Sequence, residues 1–147
     1  MALEIKVREI VEGCMPESIE VGDWIDLKTA CDVDIHVYRE DGHWHGMIPL
    51  GIAMELPEGY EAHIVPRSST YKAWGLMMTN SMGVIDNSYC GDDDEWQFPY
   101  VAERDVFIPK GTRIAQFRIV ENQPEIKFVK VDSLDNPNRG GFGSTGR

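Results

Sequence analysis

Apolar residues recur at every second position through much of this chain, and that period admits few folds. Ile48, Leu50, Ile52, Met54 and Leu56 share one face of an extended backbone, and Leu3, Ile5 and Val7 alternate with Glu4, Lys6 and Arg8. Cys31, Val33, Ile35 and Val37 alternate with Asp32, Asp34 and His36. Side chains of a strand point to opposite faces in turn, so the pattern predicts strands buried on one side. Two runs end in the same turn chemistry, Leu56-Pro57-Glu58-Gly59 and Ile108-Pro109-Lys110-Gly111. Proline presets φ at the second turn position, and glycine suits the fourth position of a type I turn. Each turn leads into a further apolar run, over residues 62–65 and 114–119. Val84-Ile85-Asp86-Asn87-Ser88-Tyr89 reads as a short hairpin turning on Asp-Asn-Ser. Only Ser68-Ser69-Thr70-Tyr71-Lys72-Ala73-Trp74 suggests a helix, with serine to cap free N–H groups and Gly75 to end it left-handed. Strands recurring every ~8–12 residues predict an all-β sandwich, jelly roll or barrel.

The chain has 147 residues, enough for one domain with a real core. Fourteen Lys and Arg against 25 Asp and Glu leave a net charge of −11. That disfavours binding to a nucleic acid polymer or to an anionic membrane. Cys14, Cys31 and Cys90 form neither a CxxC pair nor a disulfide framework. The N-terminus lacks the apolar stretch of a signal peptide, so a cytoplasmic location is expected.

Three clusters point to chemistry. The tail, residues 132–147, has no hydrophobic period, yet it sets Arg139, Phe142, Ser144 and Thr145 among glycines. Successive backbone N–H groups, hydroxyls and a guanidinium make a phosphate clamp that orders on binding. Pro66-Arg67-Ser68-Ser69, at the mouth of the expected helix, is a second anion site. The segment from Asn80 to Gly91 places Asp86 at a tip, where a rigid carboxylate can activate a water. Tyr89, three residues on, offers a flat stacking surface. By contrast, Asp41-Gly42-His43-Trp44-His45 reads as a solvated loop, because no third ligand is spaced for a closed metal site.

In order, these motifs resemble the trimeric dUTPase (deoxyuridine triphosphatase) family. Gly22-Asp23-Trp24-Ile25-Asp26-Leu27 resembles the first motif and Pro66-Arg67-Ser68-Ser69 the second. Gly83-Val84-Ile85-Asp86-Asn87-Ser88-Tyr89-Cys90-Gly91 resembles the third, and Gly111-Thr112-Arg113-Ile114-Ala115-Gln116 the fourth. Arg139-Gly140-Gly141-Phe142-Gly143-Ser144-Thr145-Gly146 is similar to the fifth almost letter for letter. The resemblance implies a homotrimer of distorted jelly-roll subunits, with one short helix and a flexible C-terminal arm. It divides the chain into a domain over residues 1–131 and an arm over 132–147 that closes a neighbour's site. The implied reaction is Mg2+-dependent hydrolysis of dUTP to dUMP and pyrophosphate, which supplies dUMP and limits uracil in DNA.

The resemblance also implies roles. Asp86 stands where the family places the base that orients the attacking water. Tyr89 matches the aromatic that packs on deoxyribose and excludes a 2′-hydroxyl. Asn80, Gly83 and Ile85 match the segment that reads the uracil edge. Arg67, Ser68, Ser69 and Gln116 match phosphate-binding positions. Arg139, Gly143, Ser144 and Thr145 match arm contacts to the phosphates, and Phe142 matches the aromatic stacked over uracil. Asp26 matches the carboxylate that helps hold Mg2+ through water.

Some features depart from the family. Trp24-Ile25 stands where a small-residue context is usual. After the third motif comes Asp92-Asp93-Asp94-Glu95-Trp96, longer and more aromatic than usual. Its acids read as a solvated loop, and Trp96 reads either as a core aromatic, as aromatics beside strands more often are, or as a second candidate for the stacking lid. Two other functions fit the scaffold. One is a dCTP deaminase or bifunctional deaminase-diphosphatase, although Lys72 stands near the place where that family has an arginine. The other is a regulatory binding protein.

Overall fold

The computed structural model describes residues 1–38 and 40–143. They form β1 (Lys6–Glu9), β2 (Ile25–Lys28), β3 (Val33–Ile35), β4 (Trp44–Pro49), β5 (Ile52–Glu55) and β6 (Tyr60–Pro66). The helix α1 (Thr70–Trp74) follows, then β7 (Leu76–Met78), β8 (Gly83–Ile85), β9 (Gln97–Ala102), β10 (Val106–Ile108) and β11 (Arg113–Glu121). Every strand pair is antiparallel: β1 with β5, β3 with β10, a three-stranded sheet ordered β4-β9-β7 and a four-stranded sheet ordered β2-β11-β6-β8. The all-β expectation holds. No helix among the described residues is long and apolar enough to cross a membrane.

The longest alternating run behaves as its period predicts, with one break. Ile48, Leu50, Ile52, Met54 and Leu56 are all buried. Between β4 and β5 the backbone turns at Gly51, which has φ 74°. A Cβ there would lie 2.6 Å from Cys14 Sγ, so the bend needs glycine for both conformation and space. One expected strand thus becomes two in different sheets, while its apolar face stays in one core.

The short helix ends as read, with Gly75 left-handed at φ 68° and its N–H on the Tyr71 carbonyl. Its start differs. Ser69 makes no side-chain cap. The buried Thr70 hydroxyl instead accepts the Arg67 N–H at 3.1 Å and donates to the Ile114 carbonyl at 2.8 Å, tying the helix mouth to β11. Thr70→Val keeps the shape and leaves both backbone groups unpaired. It should cost about 1–3 kcal/mol, read as a lower urea midpoint with unchanged slope.

The expected hairpin over residues 84–89 does not form. Strand β8 pairs with β6, with His63 opposite Val84, and the chain then runs through a loop to β9. The acidic loop is only partly solvated. The Gly51 N–H donates to the Glu95 carboxylate at 2.9 Å, and the Gly91 N–H donates to Asp94 at 2.9 Å. His43 lies in the exposed loop expected of it, whereas Trp44 and His45 open β4, where His45 pairs with Val101 and stays exposed.

Beyond β11, Asn122 donates its N–H to Gly59, and residues 123–143 then run on exposed, without helix or strand. Phe128 is 92% exposed and Leu134 78%, unusual for large apolar side chains.

Candidate active site

The expected site residues gather into two groups at opposite ends of the β6–β8 pair. The first group sits where β2, β11 and β6 run side by side. Register places Gln116 of β11 between Asp26 of β2 and Val65 of β6. Alternation turns Asp26 and Gln116 away from the core, since Leu27, Ala115 and Phe117 beside them are buried. The Asp26 carboxylate is nearly enclosed. Its Oδ1 lies 3.2 Å from Arg67 Nε and its Oδ2 3.7 Å from Arg113 Nη1. Arg67 also donates to the Arg113 carbonyl at 3.3 Å, and Gln116 donates to the Pro66 carbonyl at 3.2 Å. Ser68 and Ser69 are exposed beside Arg67. Two guanidiniums against one carboxylate leave this corner locally positive on an acidic protein, as an anionic ligand requires.

Arg113 was not singled out as a site residue. Its signal lay in the fourth motif, directly after the Gly111 turn. The unusual Trp24 lies beneath Arg118, whose guanidinium is 5.5 Å from the ring centroid and 3.0 Å from Asp23.

The second group lies past β8. Gly83 packs so closely on β6 that a Cβ would meet Ile64 Cβ at 3.3 Å. Asn80, Gly83, Ile85 and Tyr89 line a shallow cavity of about 190 Å3. Tyr89 donates its hydroxyl to the Glu95 carbonyl at 2.8 Å, which sets the ring's tilt. Burial, then the nearby Asp94 and Glu95, raise the Tyr89 pKa, so the phenol stays protonated. Asp86 is exposed, and its Oδ1 accepts bonds from both the amide and the hydroxyl of Ser88. The hydroxyl bond, then the amide bond, hold its pKa below the ordinary carboxylate value. Asn87 anchors the turn by donating to the Leu56 and Pro57 carbonyls at 2.9 and 2.7 Å.

The two groups do not meet within one chain. Ala62 of β6 faces Ile85. Asp86 therefore sits beside Glu61, and Arg67 lies at the far end of β6, about 20 Å away at the rise of a strand. The arm positions Arg139, Phe142 and Gly143 are exposed. Ser144 and Thr145 lie outside the described residues.

Trp96 is not a lid. It is fully buried, its ring edge-on to Phe117 with centroids 5.2 Å apart. Its backbone N–H donates to Ile52 and its carbonyl accepts from Leu50. Those bonds fix an inward orientation that Phe98, Tyr100 and Ala102 continue along β9.

A family model for dUTPase matches residues 25–146. The SPbeta prophage-derived deoxyuridine 5'-triphosphate nucleotidohydrolase YosS of Bacillus subtilis (strain 168) is 54% identical over 145 residues, covering 98% of this chain and 99% of its own. The deoxyuridine 5'-triphosphate nucleotidohydrolase of Finegoldia magna is 39% identical, covering 98% and 99%. The fold is similar to that of the Staphylococcus bacteriophage 80alpha dUTPase with dUPNHPP (TM-score 0.77, 22% identity, 99% of this chain and 100% of that one). It is also similar to a dUTPase from phage phi11 of S. aureus that reveals coordination of a structural Mg(II) ion (TM-score 0.71, 20% identity, 91% and 100%).

Proposed function

The chain belongs to the dUTPase family, and from that premise we propose that it is a cytoplasmic, Mg2+-dependent dUTP diphosphatase. It acts as a homotrimer that hydrolyses dUTP to dUMP and pyrophosphate. The observation that carries the reading is the Asp86 carboxylate. It is exposed, held ionised by Ser88, and lies beside Tyr89 and the cavity lined by Asn80, Gly83 and Ile85. A base must be charged at the working pH and within hydrogen-bond reach of the water it orients.

In this reading uracil lies on the segment around Asn80, Gly83 and Ile85, which lines the shallow cavity beside Tyr89. Tyr89 packs on the deoxyribose and excludes a 2′-hydroxyl. Asp86 orients water toward the α-phosphorus, and Arg67, Ser68, Ser69 and Gln116 hold the phosphates, joined by Arg113. The arm, residues 132–147, closes over the site and brings Arg139, Gly143, Ser144 and Thr145 to the phosphates and Phe142 onto uracil. Base–aromatic stacking of that kind is worth about 1–3 kcal/mol. Closure excludes bulk water from the displacement.

The donor set fits Mg2+ in one way. Among the described residues no three His, Cys, Asp or Glu side chains cluster as a metal cage. Both Asp26 oxygens already face arginines. Mg2+ keeps much of its water and binds substrate phosphates. Asp26 would therefore hold it through water, and the bound ion would supply neutralisation of phosphate charge.

Reach supports assembly of more than one copy, and the trimeric form is what the family resemblance implies. Water on Asp86 must attack phosphorus held by Arg67, and a gap of about 20 Å along β6 is too long for one chain to bridge. A second copy supplies the missing half, as closed symmetry allows. The exposed apolar run through Ile126, Phe128, Val129 and Val131 supports burial against another subunit.

Two assays test this. Pyrophosphate release should be seen with dUTP and be far slower with UTP, dTTP and dCTP. Equal rates on dUTP and UTP would remove the Tyr89 argument, and deamination of dCTP would favour the rival enzyme. Separately, Arg67→Ala and Asp86→Asn chains, each inactive, are unfolded together and refolded as a mixture. If sites take these residues from different subunits, random mixing restores roughly one quarter of native activity. No recovery in mixed trimers would show that each site uses one chain.

A further inference from the structure

We propose that Ser88 is a positioning residue for the reaction: its amide and hydroxyl clamp Asp86 Oδ1 and leave Oδ2 to the attacking water. The inference rests on the reading of Asp86 as the base. The amide bond is 2.8 Å long, and the hydroxyl bond joins the same oxygen. Asp86 makes no ion pair among the described residues, and both Ser88 bonds fall on Oδ1, with the Tyr89 amide a lesser contributor to its lowered pKa. Without Ser88, both side-chain torsions of an exposed aspartate would be open. Geometry of a reacting group must be held to a fraction of an ångström, and supporting hydrogen bonds are what hold it.

The clamp is itself anchored. Asn87, between the two residues, points the other way and grips the Leu56 and Pro57 carbonyls. The backbone that carries the Ser88 amide is therefore fixed to the turn before β6, and the hydroxyl adds the second bond.

Ser88 also governs the charge of Asp86. The titratable groups on the elements around it are Tyr60, Glu61 and His63 on β6, Glu58 on the preceding turn, and Tyr89, Cys90, Asp92, Asp93, Asp94 and Glu95 on the following loop. His63 is bound to Glu61 at 2.6 Å. Carboxylates oppose the ionisation of another carboxylate, so these acids cannot lower its pKa. The lowering comes first from the Ser88 hydroxyl and then from its amide. Removing the hydroxyl therefore moves the acid limb of kcat/KM, which reports the base of the free enzyme, to higher pH.

The experiment measures pyrophosphate release from dUTP with Mg2+ across pH for the native enzyme, Asp86→Asn, Ser88→Ala and Ser88→Thr. Binding of a non-hydrolysable dUTP analogue and far-UV circular dichroism establish that each variant is folded. Ser88→Ala should show an acid limb at higher pH and a kcat lower by about tenfold at neutral pH, with KM and analogue binding unchanged. Ser88→Thr, which keeps the hydroxyl, should restore both limb and kcat. An inactive Asp86→Asn beside an unmoved limb in Ser88→Ala overturns the role of Ser88 alone, as does a Ser88→Thr no better than Ser88→Ala. Native activity in Asp86→Asn would overturn the base assignment, and this proposal with it.

Discussion

Asp86→Asn should lower kcat on dUTP by about 10²–10⁴-fold and leave KM nearly unchanged. Asparagine has the same shape, and its carbonyl oxygen can still accept both Ser88 bonds, so the loop keeps its conformation. What disappears is the negative charge to which we assign the orientation and deprotonation of water. The sign of the pH effect follows from the lowered pKa of Asp86. With Asp86 as the base, the native enzyme should work above that pKa and lose activity as pH falls through it. The variant has no such group, so its residual rate should be flat over the same range. Steady-state pyrophosphate release at saturating dUTP checks the magnitude, and the low-pH profile checks the assignment. A variant with native kcat would exclude Asp86 as the base.

Trp96→Ala should destabilise the protein by about 3–5 kcal/mol, as aromatic truncations in packed cores do. Trp96 is fully buried, packs edge-on against Phe117 and bridges β5 and the start of β9 through its backbone. The loss is large against a typical total of about 5–15 kcal/mol. A urea melt should show a midpoint shift with unchanged slope. Trp96 Nε1 has no hydrogen-bond partner among the described residues, so its N–H adds nothing. Trp96→Phe removes that unpaired donor and should cost much less. KM for dUTP in the folded fraction should not change, which separates a core tryptophan from a lid. A native midpoint with a raised KM would reverse the assignment.

Much of the fold could be read before any coordinates. Period-2 alternation placed the inward residues of β4 and β5 correctly, because it depends only on strand geometry. Gly75 marked the helix end, because a left-handed residue there suits glycine. The break at Gly51 could not be read, since its cause is the approach of Cys14 from a distant segment. The Asp-Asn-Ser turn was legible as a turn but not as a hairpin, because β8 finds its partner in β6. Glu95 was expected in water. Its bond to Gly51 joins segments far apart in sequence. Trp96 was open between core and lid, because its acidic neighbours suggested a surface loop while aromatics beside strands are more often core, and its full burial decides for the core.

The family was legible from the letters of the third and fifth motifs, and so were the residue types a phosphate-handling site needs. Alternation and turn chemistry determined an all-β domain with one short helix. These properties are local, arising from neighbouring side chains and backbone torsions. Tertiary structure alone decided which residues stand together. Strand pairing drew Asp26, Arg67 and Gln116 into one corner, added Arg113, and set Asp86 about 20 Å along β6 from them. Spacing along the chain carries no record of that separation, because it depends on which strands bond and in what register.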